Sequence, residues 1–288
     1  MPSETAQDPQ ELRRSMLEVA EALAPAWGKR RAFVEGVATP IREWLIRELR
    51  PRPGATVLEL AAGVGETGFE TSALLGEQGR LITSDFSPAM VDAARSRGAE
   101  LGIENVDYRV IDAERIELES ESVDGVICRF GYMLMLDPAA ALAETRRVLR
   151  PDGRVALAVW GPPERNPFFA VLGMAMVQAG HMPPPDTEGP GPFSMATETR
   201  TRELLEGAGF GDVRTEQVPV SFAVASVDEY VDIATDTAGP MALVLRGLSE
   251  DERRALIATL DGPLAPYAGG AGYEMPGVTV CAAGTAER

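Results

Sequence analysis

The chain of 288 residues carries two cysteines, Cys128 and Cys281, and one histidine, His181. Two cysteines without a CxxC pair exclude a disulfide framework and any cysteine-rich metal centre, and they suit a reducing compartment. Basic residues are also scarce, 27 against 44 acidic, for a formal net charge of −17. That balance repels phosphate backbones, so no nucleic-acid partner is expected and a small-molecule acceptor fits better. No apolar run approaches the roughly 18 residues of a membrane span. Met1 to Gln10 is polar and lacks the apolar centre of a signal peptide, so a cytoplasmic location is expected. The oligomeric state is not legible; a homodimer is compatible with the composition. What remains is ordinary globular usage, 45% hydrophobic and 25% charged, in a chain long enough to bury a sizeable core.

The hydrophobic pattern divides the chain. Leu12, Met16, Val19 and Leu23 recur at helical spacing, and so do Phe33, Val37, Ile41, Trp44, Leu45 and Leu49. Two N-terminal helices are therefore expected in 1–52, with Thr39-Pro40 as a kink or a fresh start. From Gly54 short apolar strands alternate with helices. The strands are Thr56–Leu60, Arg80–Ser84, Val106–Ile111, Val123–Cys128 and Val155–Trp160, with Arg150-Pro-Asp-Gly153 as a turn. Helices start near Thr67, at Ser87-Pro88 and at Asp137-Pro138, the last two carrying a capping residue before proline. After Gly161 the regularity breaks. Residues 161–196 are rich in proline and glycine, including Pro183-Pro184-Pro185, around an apolar helix near Phe168 to Ala179. A helix containing Leu204 and Leu205, a strand Val213–Val220, a helical stretch 226–268 and a last strand Gly277–Ala282 follow.

This alternation predicts an α/β fold: a Rossmann-like, doubly wound, mostly parallel seven-stranded sheet with N-terminal helices and a helical lid or cap. Three units are expected. Residues 1–52 cover the site, 53–160 form the ligand-binding core, and 161–288 hold a lid segment 161–196, the rest of the sheet and the cap 226–268.

Chemistry concentrates at the first strand-to-helix turn. Gly63, Gly65 and Gly68 spell GxGxxG in Val57-Leu-Glu-Leu-Ala-Ala-Gly-Val-Gly-Glu-Thr-Gly68. Glycines there let the backbone turn tightly and approach a ligand, and the helix start offers free N–H donors. A dinucleotide site is open on that signal alone. Glu59 within the strand end argues against a diphosphate, because a buried acid opposes one and favours a cationic ligand. Asp85, at the end of the second strand, suits ribose hydroxyls whichever nucleoside binds. Asp112, after the third strand, is placed to accept from an adenine amine, with the Ala113 N–H offered to a ring nitrogen. Three acids at the C-terminal ends of three successive strands mark the edge where ligands bind parallel sheets.

Residues 57–160 resemble the core of the class I S-adenosylmethionine-dependent methyltransferases, and the ubiquinone/menaquinone-biosynthesis C-methyltransferase branch in particular. The matching stretches are Leu58-Glu-Leu-Ala-Ala-Gly-Val-Gly65, Asp85-Phe-Ser-Pro-Ala-Met90, Asp112-Ala113, Ser122-Val-Asp-Gly-Val-Ile-Cys-Arg-Phe130 and Leu149-Arg-Pro-Asp-Gly-Arg154. The resemblance implies S-adenosyl-L-methionine as cofactor. It implies that Glu59 meets the methionine amino group, with Ala61, Gly63 and Gly65 along the amino-acid and ribose portions. Asp85 would hold the ribose, Phe86 would flank the adenine, Asp112 and Ala113 would hold its edge, Arg129 would supply backbone near the methionine end, and Met90 is a further cofactor-binding candidate. Ala61 departs from the glycine usual there.

Methyl transfer needs in-line alignment, and a general base only where the acceptor must lose a proton. The candidates for such a base are His181, in the lid segment, and Tyr132, just after the fourth strand. Phe168, Phe169, Met174, Met176 and Met182 suggest an apolar acceptor pocket. The expected function is methyl transfer to carbon or oxygen of a small, apolar or aromatic acceptor, polyketide- or quinone-like. Two alternatives stay open: a methyltransferase-fold cyclase, or other enzyme, that uses S-adenosylmethionine without methyl transfer, and a nicotinamide-dependent oxidoreductase resting on the three glycines.

Overall fold

The computed structural model describes residues 8–184 and 189–287; Pro185 of the expected lid lies outside them. The chain starts on one long helix, α1 (Pro9–Leu49). The alternating segment then gives β1 (Thr56–Glu59), α2 (Glu66–Leu75), β2 (Arg80–Asp85), α3 (Pro88–Leu101), β3 (Val106–Val110), β4 (Val123–Arg129), α4 (Pro138–Val148) and β5 (Leu149–Trp160). The capping residues act as their positions require. The Ser87 hydroxyl accepts from the Met90 amide at 3.3 Å, and Asp137 accepts from Ala140 at 2.9 Å, each just ahead of a proline in the first turn. The rest of the chain forms α5 (Pro167–Gln178), α6 (Glu198–Gly207), β6 (Phe210–Val224), α7 (Val227–Thr237), α8 (Pro240–Gly247), α9 (Glu250–Leu264), a two-residue β7 (Ala268–Gly269) and β8 (Gly272–Ala286).

The strands form one sheet in the order β3-β2-β1-β4-β5-β8-β6, with β7 paired only to β8. The first five are parallel, and β8 runs antiparallel to both β5 and β6. This is the mostly parallel, seven-strand path expected from the alternation. Leu58 of β1 lies beside Ile82 of β2 and Val126 of β4, so the centre of the sheet is apolar on both sides of β1. The C-terminal part of α1 packs across β4, β5, β8 and β6, and the helix also touches α2 and α3; α4 meets α6, which lies on β6 and β8. Helices thus cover both faces. The chain winds outward from β1 to β3, then returns to β4 on the other side of β1. Strand order reverses between β1 and β4, and such a reversal opens a crevice at the C-terminal edge of the sheet.

Two local expectations are corrected. The N-terminal helices are a single helix of 41 residues, with Pro25 and Pro40 inside it. Each proline removes one backbone donor, yet the helix continues because Ile41, Trp44, Leu45 and Leu49 are buried against the sheet and fix its course. At the second proline the Thr39 hydroxyl donates to the Glu35 carbonyl at 2.9 Å. The turn expected at Arg150–Gly153 is instead the start of β5. Leu149 pairs with Val123 and Arg154 with Gly125, so the extra residues bulge out, with Asp152 at φ 65°. Among the described residues, no helix is long and apolar enough to cross a membrane.

Candidate functional site at the C-terminal edge of the sheet

The strand ends place the sequence-derived acids in one row. Glu59 closes β1 and is 3% exposed, with both carboxylate oxygens engaged. One accepts from the Gly68 amide at 2.8 Å and the other from the Thr83 hydroxyl at 3.1 Å. Glu59 therefore ties the first turn of α2 to β1 and β2 from behind the glycine turn. Burial pushes its carboxyl up to about 8, against the pull of those two bonds and of the Arg129 guanidinium.

Asp85 closes β2, 6% exposed. It accepts from the Gly63 amide at 3.0 Å on one oxygen and from the Ser87 amide at 3.0 Å on the other. Burial raises its pKa, and the Ser87, Gly63 and Phe86 amides oppose that rise. Each oxygen keeps a lone pair for a further donor. The carboxylate thus bridges the glycine turn and the start of α3, where a diol can reach it.

The turn itself needs left-handed backbone. Gly63 sits at φ 54° with open space where a Cβ would stand, and Gly65 caps α2 at φ 87°. Ala61 adopts φ 50° without being glycine, a conformation that costs an L-residue roughly 1–2 kcal/mol. Phe130, just past β4, is a second such residue at φ 66° and stacks on Trp160 at 4.2 Å. Strain held in a bulky residue at a strand end is characteristic of working sites. Phe86 and Met90 follow Asp85 into α3, with Met90 buried.

Asp112 lies just past β3, and there it meets α1. One of its oxygens accepts from the Glu114 amide at 2.9 Å, and the other pairs with Arg13, which also pairs with Glu114. Ala113 is buried beside it. Further along, Arg31 of α1 pairs with Glu66 at the start of α2, and Glu35 pairs with Arg129 at the end of β4 at 2.7 Å. Lys29 and Arg30 pair with Asp236 of α7. Helix α1 therefore passes over the whole row of strand ends, held by opposite charges.

Beyond β4 the wall turns aromatic. Trp160 contacts Phe130, Phe169 and Phe222; Phe168 stacks on Phe222 at 4.3 Å and meets Phe33 and Tyr230. Phe193 reaches Phe169 at 6.4 Å. Asn166 sets this wall. Fully buried, it donates to the Gly161 and Val278 carbonyls and accepts from the Val278 amide, all at 3.0 Å, which fixes the start of α5 and its two phenylalanines.

Of the two candidate bases, Tyr132 is withdrawn into the core. Tyr132 stands in a 3-10 turn that carries its side chain inward, 1% exposed, with its hydroxyl 2.6 Å from Thr145 Oγ1. Burial holds its pKa well above the ordinary tyrosine range, so it is a packing residue of the core. His181 sits in the turn after α5, half-buried and within the expected lid segment. Met174 is exposed while Met176 is fully buried, so the methionines of α5 divide between solvent and core. Cys128 is buried and pushed up to about 12, which removes it as a nucleophile. The residues missed in the sequence are Arg13, Glu35 and Asn166. Only Asn166 carried a local signal, its position just before Pro167 at a helix start.

Residues 57–153 match the methyltransferase domain model. Over those residues the chain is similar to the class I S-adenosylmethionine-dependent methyltransferases. The chain is 30% identical over 131 residues to a ubiquinone/menaquinone biosynthesis C-methyltransferase of Coxiella burnetii, an alignment covering 45% of this chain and 52% of that relative. The chain thus spans about half the length of the curated relatives it matches. In fold it is similar to the YcgJ protein of Bacillus subtilis, with a TM-score of 0.58 at 18% identity, covering 86% of this chain and 98% of that one. It is also similar to the cyclase SpnF, with a TM-score of 0.55 at 17% identity over 85% of this chain and 80% of that one. S-adenosylmethionine is the cofactor that a methyltransferase domain implies, and the residues present suit that group. The glycine turn leaves room along Gly63, and each Asp85 oxygen keeps a lone pair beside it. Two buried polar atoms on elements flanking the turn, Thr67 Oγ1 of α2 and Arg129 Nη1, have no hydrogen-bond partner among the described residues.

Proposed function

We propose that this chain binds S-adenosylmethionine along the glycine turn and transfers its methyl group to carbon or oxygen of a small, apolar or aromatic acceptor. The observation that carries this reading is the Asp85 carboxylate, buried at the end of β2 and bonded to Gly63 of the turn. The acceptor half rests on the aromatic cluster past β4 and β5, where half-buried Phe130 and Phe169 are backed by buried Trp160, Phe168 and Phe222. When bound, the cofactor supplies an electrophilic methyl group on a sulfonium. Aromatic faces stabilise such a cation and exclude water from it. Asp85 would hold the ribose, Asp112 and Ala113 the adenine, and Asn166 would fix the phenylalanines that position the acceptor. Helix α1, the segment 161–196 and the helices within 226–268 would close over both ligands. With Tyr132 held in the core, catalysis would rest on alignment and desolvation, which favours acceptors that are already nucleophilic.

Calorimetric titration with S-adenosylhomocysteine tests the cofactor half. Asp85→Ala should lose about 1.5–3 kcal/mol of binding, the worth of hydrogen bonds to a charged group. Unchanged affinity takes Asp85 out of the site, and tight binding of NADH instead restores the oxidoreductase reading. Product mass with a panel of aromatic acceptors tests the other half. A product without an added methyl group favours the cyclase-like alternative.

A further inference from the structure

The arginine at the end of β4 has a donor that takes no hydrogen-bond partner among the described residues. Glu59 of β1 pairs in register with Ile127 of β4, so side chains at the two positions share a sheet face. Arg129 stands two residues beyond Ile127, on that same face and further toward the open edge. Its guanidinium is close enough to act on the Glu59 carboxyl, yet makes no bond to it, since Glu59 is committed to Gly68 and Thr83. The other side is held from above: Arg129 Nη2 donates to Glu35 Oε1 at 2.7 Å, and Glu35 Oε2 accepts from Arg42 at 2.6 Å. The fork is thereby fixed in place, 11% exposed, with Nη1 buried and without a partner.

An unpaired guanidinium nitrogen buried in protein is costly, and a planar fork held at one end is built to take an anion at the other. The neighbouring start of α2 favours negative charge as well, and Thr67 there has an unpartnered hydroxyl. We propose that the Arg129 side chain, aimed by Glu35 of α1, binds the carboxylate of the ligand's amino-acid portion. This rests on the S-adenosylmethionine reading above and assigns to the side chain a role that the resemblance gave only to the backbone. Helix α1 then contributes to cofactor recognition through Glu35, a positioning residue that touches no ligand itself.

The test compares two ligands that share the nucleoside. S-adenosylhomocysteine has the carboxylate and 5′-methylthioadenosine does not. Titration of Arg129→Lys and Arg129→Gln should show affinity for the first falling about ten- to a hundredfold, with affinity for the second unchanged. Glu35→Gln should show a smaller loss in the same ratio, which a merely structural role would not produce. Equal losses for both ligands, or no loss for either, overturn the assignment. Should Arg129→Gln fail to fold, the ratio measured on Arg129→Lys and Glu35→Gln decides. If the unaltered protein binds neither ligand, the cofactor reading itself falls, an outcome distinct from failure of the Arg129 assignment.

Discussion

Replacing Glu59 by glutamine should change how stability depends on pH. In the folded chain the carboxyl sits near 8, against 4.5 for the ordinary value, because burial opposes its ionisation. Between those values the folded state keeps a proton that the unfolded state has lost. The stabilisation is therefore complete below about pH 4.5 and declines as pH rises through 8. From pH 6 to 8 the loss is about 2 pKa units, or roughly 2.7 kcal/mol. Spread over an unfolding entropy near 2 cal/mol/K per residue, that lowers the midpoint by about 4–5 °C. Glu59→Gln keeps an acceptor for the Gly68 amide and has nothing to ionise, so this component of the decline disappears. Thermal melts of both proteins at matched ionic strength from pH 6 to 9 measure it. The difference in midpoint should widen toward pH 8 and then level off. Parallel curves would show that Glu59 is ionised in the fold and would refute the argument from burial.

Two further substitutions probe the turn. A Cβ at Gly68 would stand 2.1 Å from the nearer Glu59 oxygen, so Gly68→Ala should destabilise by about 1–3 kcal/mol in denaturant titration. The double variant with Glu59→Ala should recover part of that loss; simple additivity would deny the contact. Ala61→Gly should be neutral or stabilising by up to about 1 kcal/mol, since relief of the left-handed backbone outweighs the added freedom of the unfolded chain. A loss above about 1 kcal/mol would show that Ala61 is not strained.

Much of the core was legible because its signals are local. Each of the first five strands was readable from a short apolar run, and the helices after Ser87 and Asp137 from their caps and prolines. The acids at 59, 85 and 112 could be placed because a strand end in a parallel sheet is also a position on one edge. Contacts between distant residues were not legible. Arg13 lies 99 residues from Asp112, and Glu35 lies 94 from Arg129, so no spacing rule joins them. Tyr132 was misplaced for a related reason: a single 3-10 turn after β4 rotates its side chain from the edge into the core. The bulge in β5 hid behind a composition that elsewhere makes turns. At α1 a local rule misled, since proline ordinarily ends or restarts a helix, and here tertiary packing carries the helix through.

That helix joins two unlike attachments in one rod. Its last turns bury Ile41, Trp44, Leu45 and Leu49, each worth about 1.5–3 kcal/mol of transfer from water. Its first turns are held by partly exposed ion pairs, such as Arg13 with Asp112, of a kind worth about 1 kcal/mol or less each. Local stability therefore falls steeply from the C-terminal end of α1 to its start. Amide exchange along a single helix would report a gradient, slow at Leu45 and fast near Leu12, and added salt would steepen it from the weak end alone.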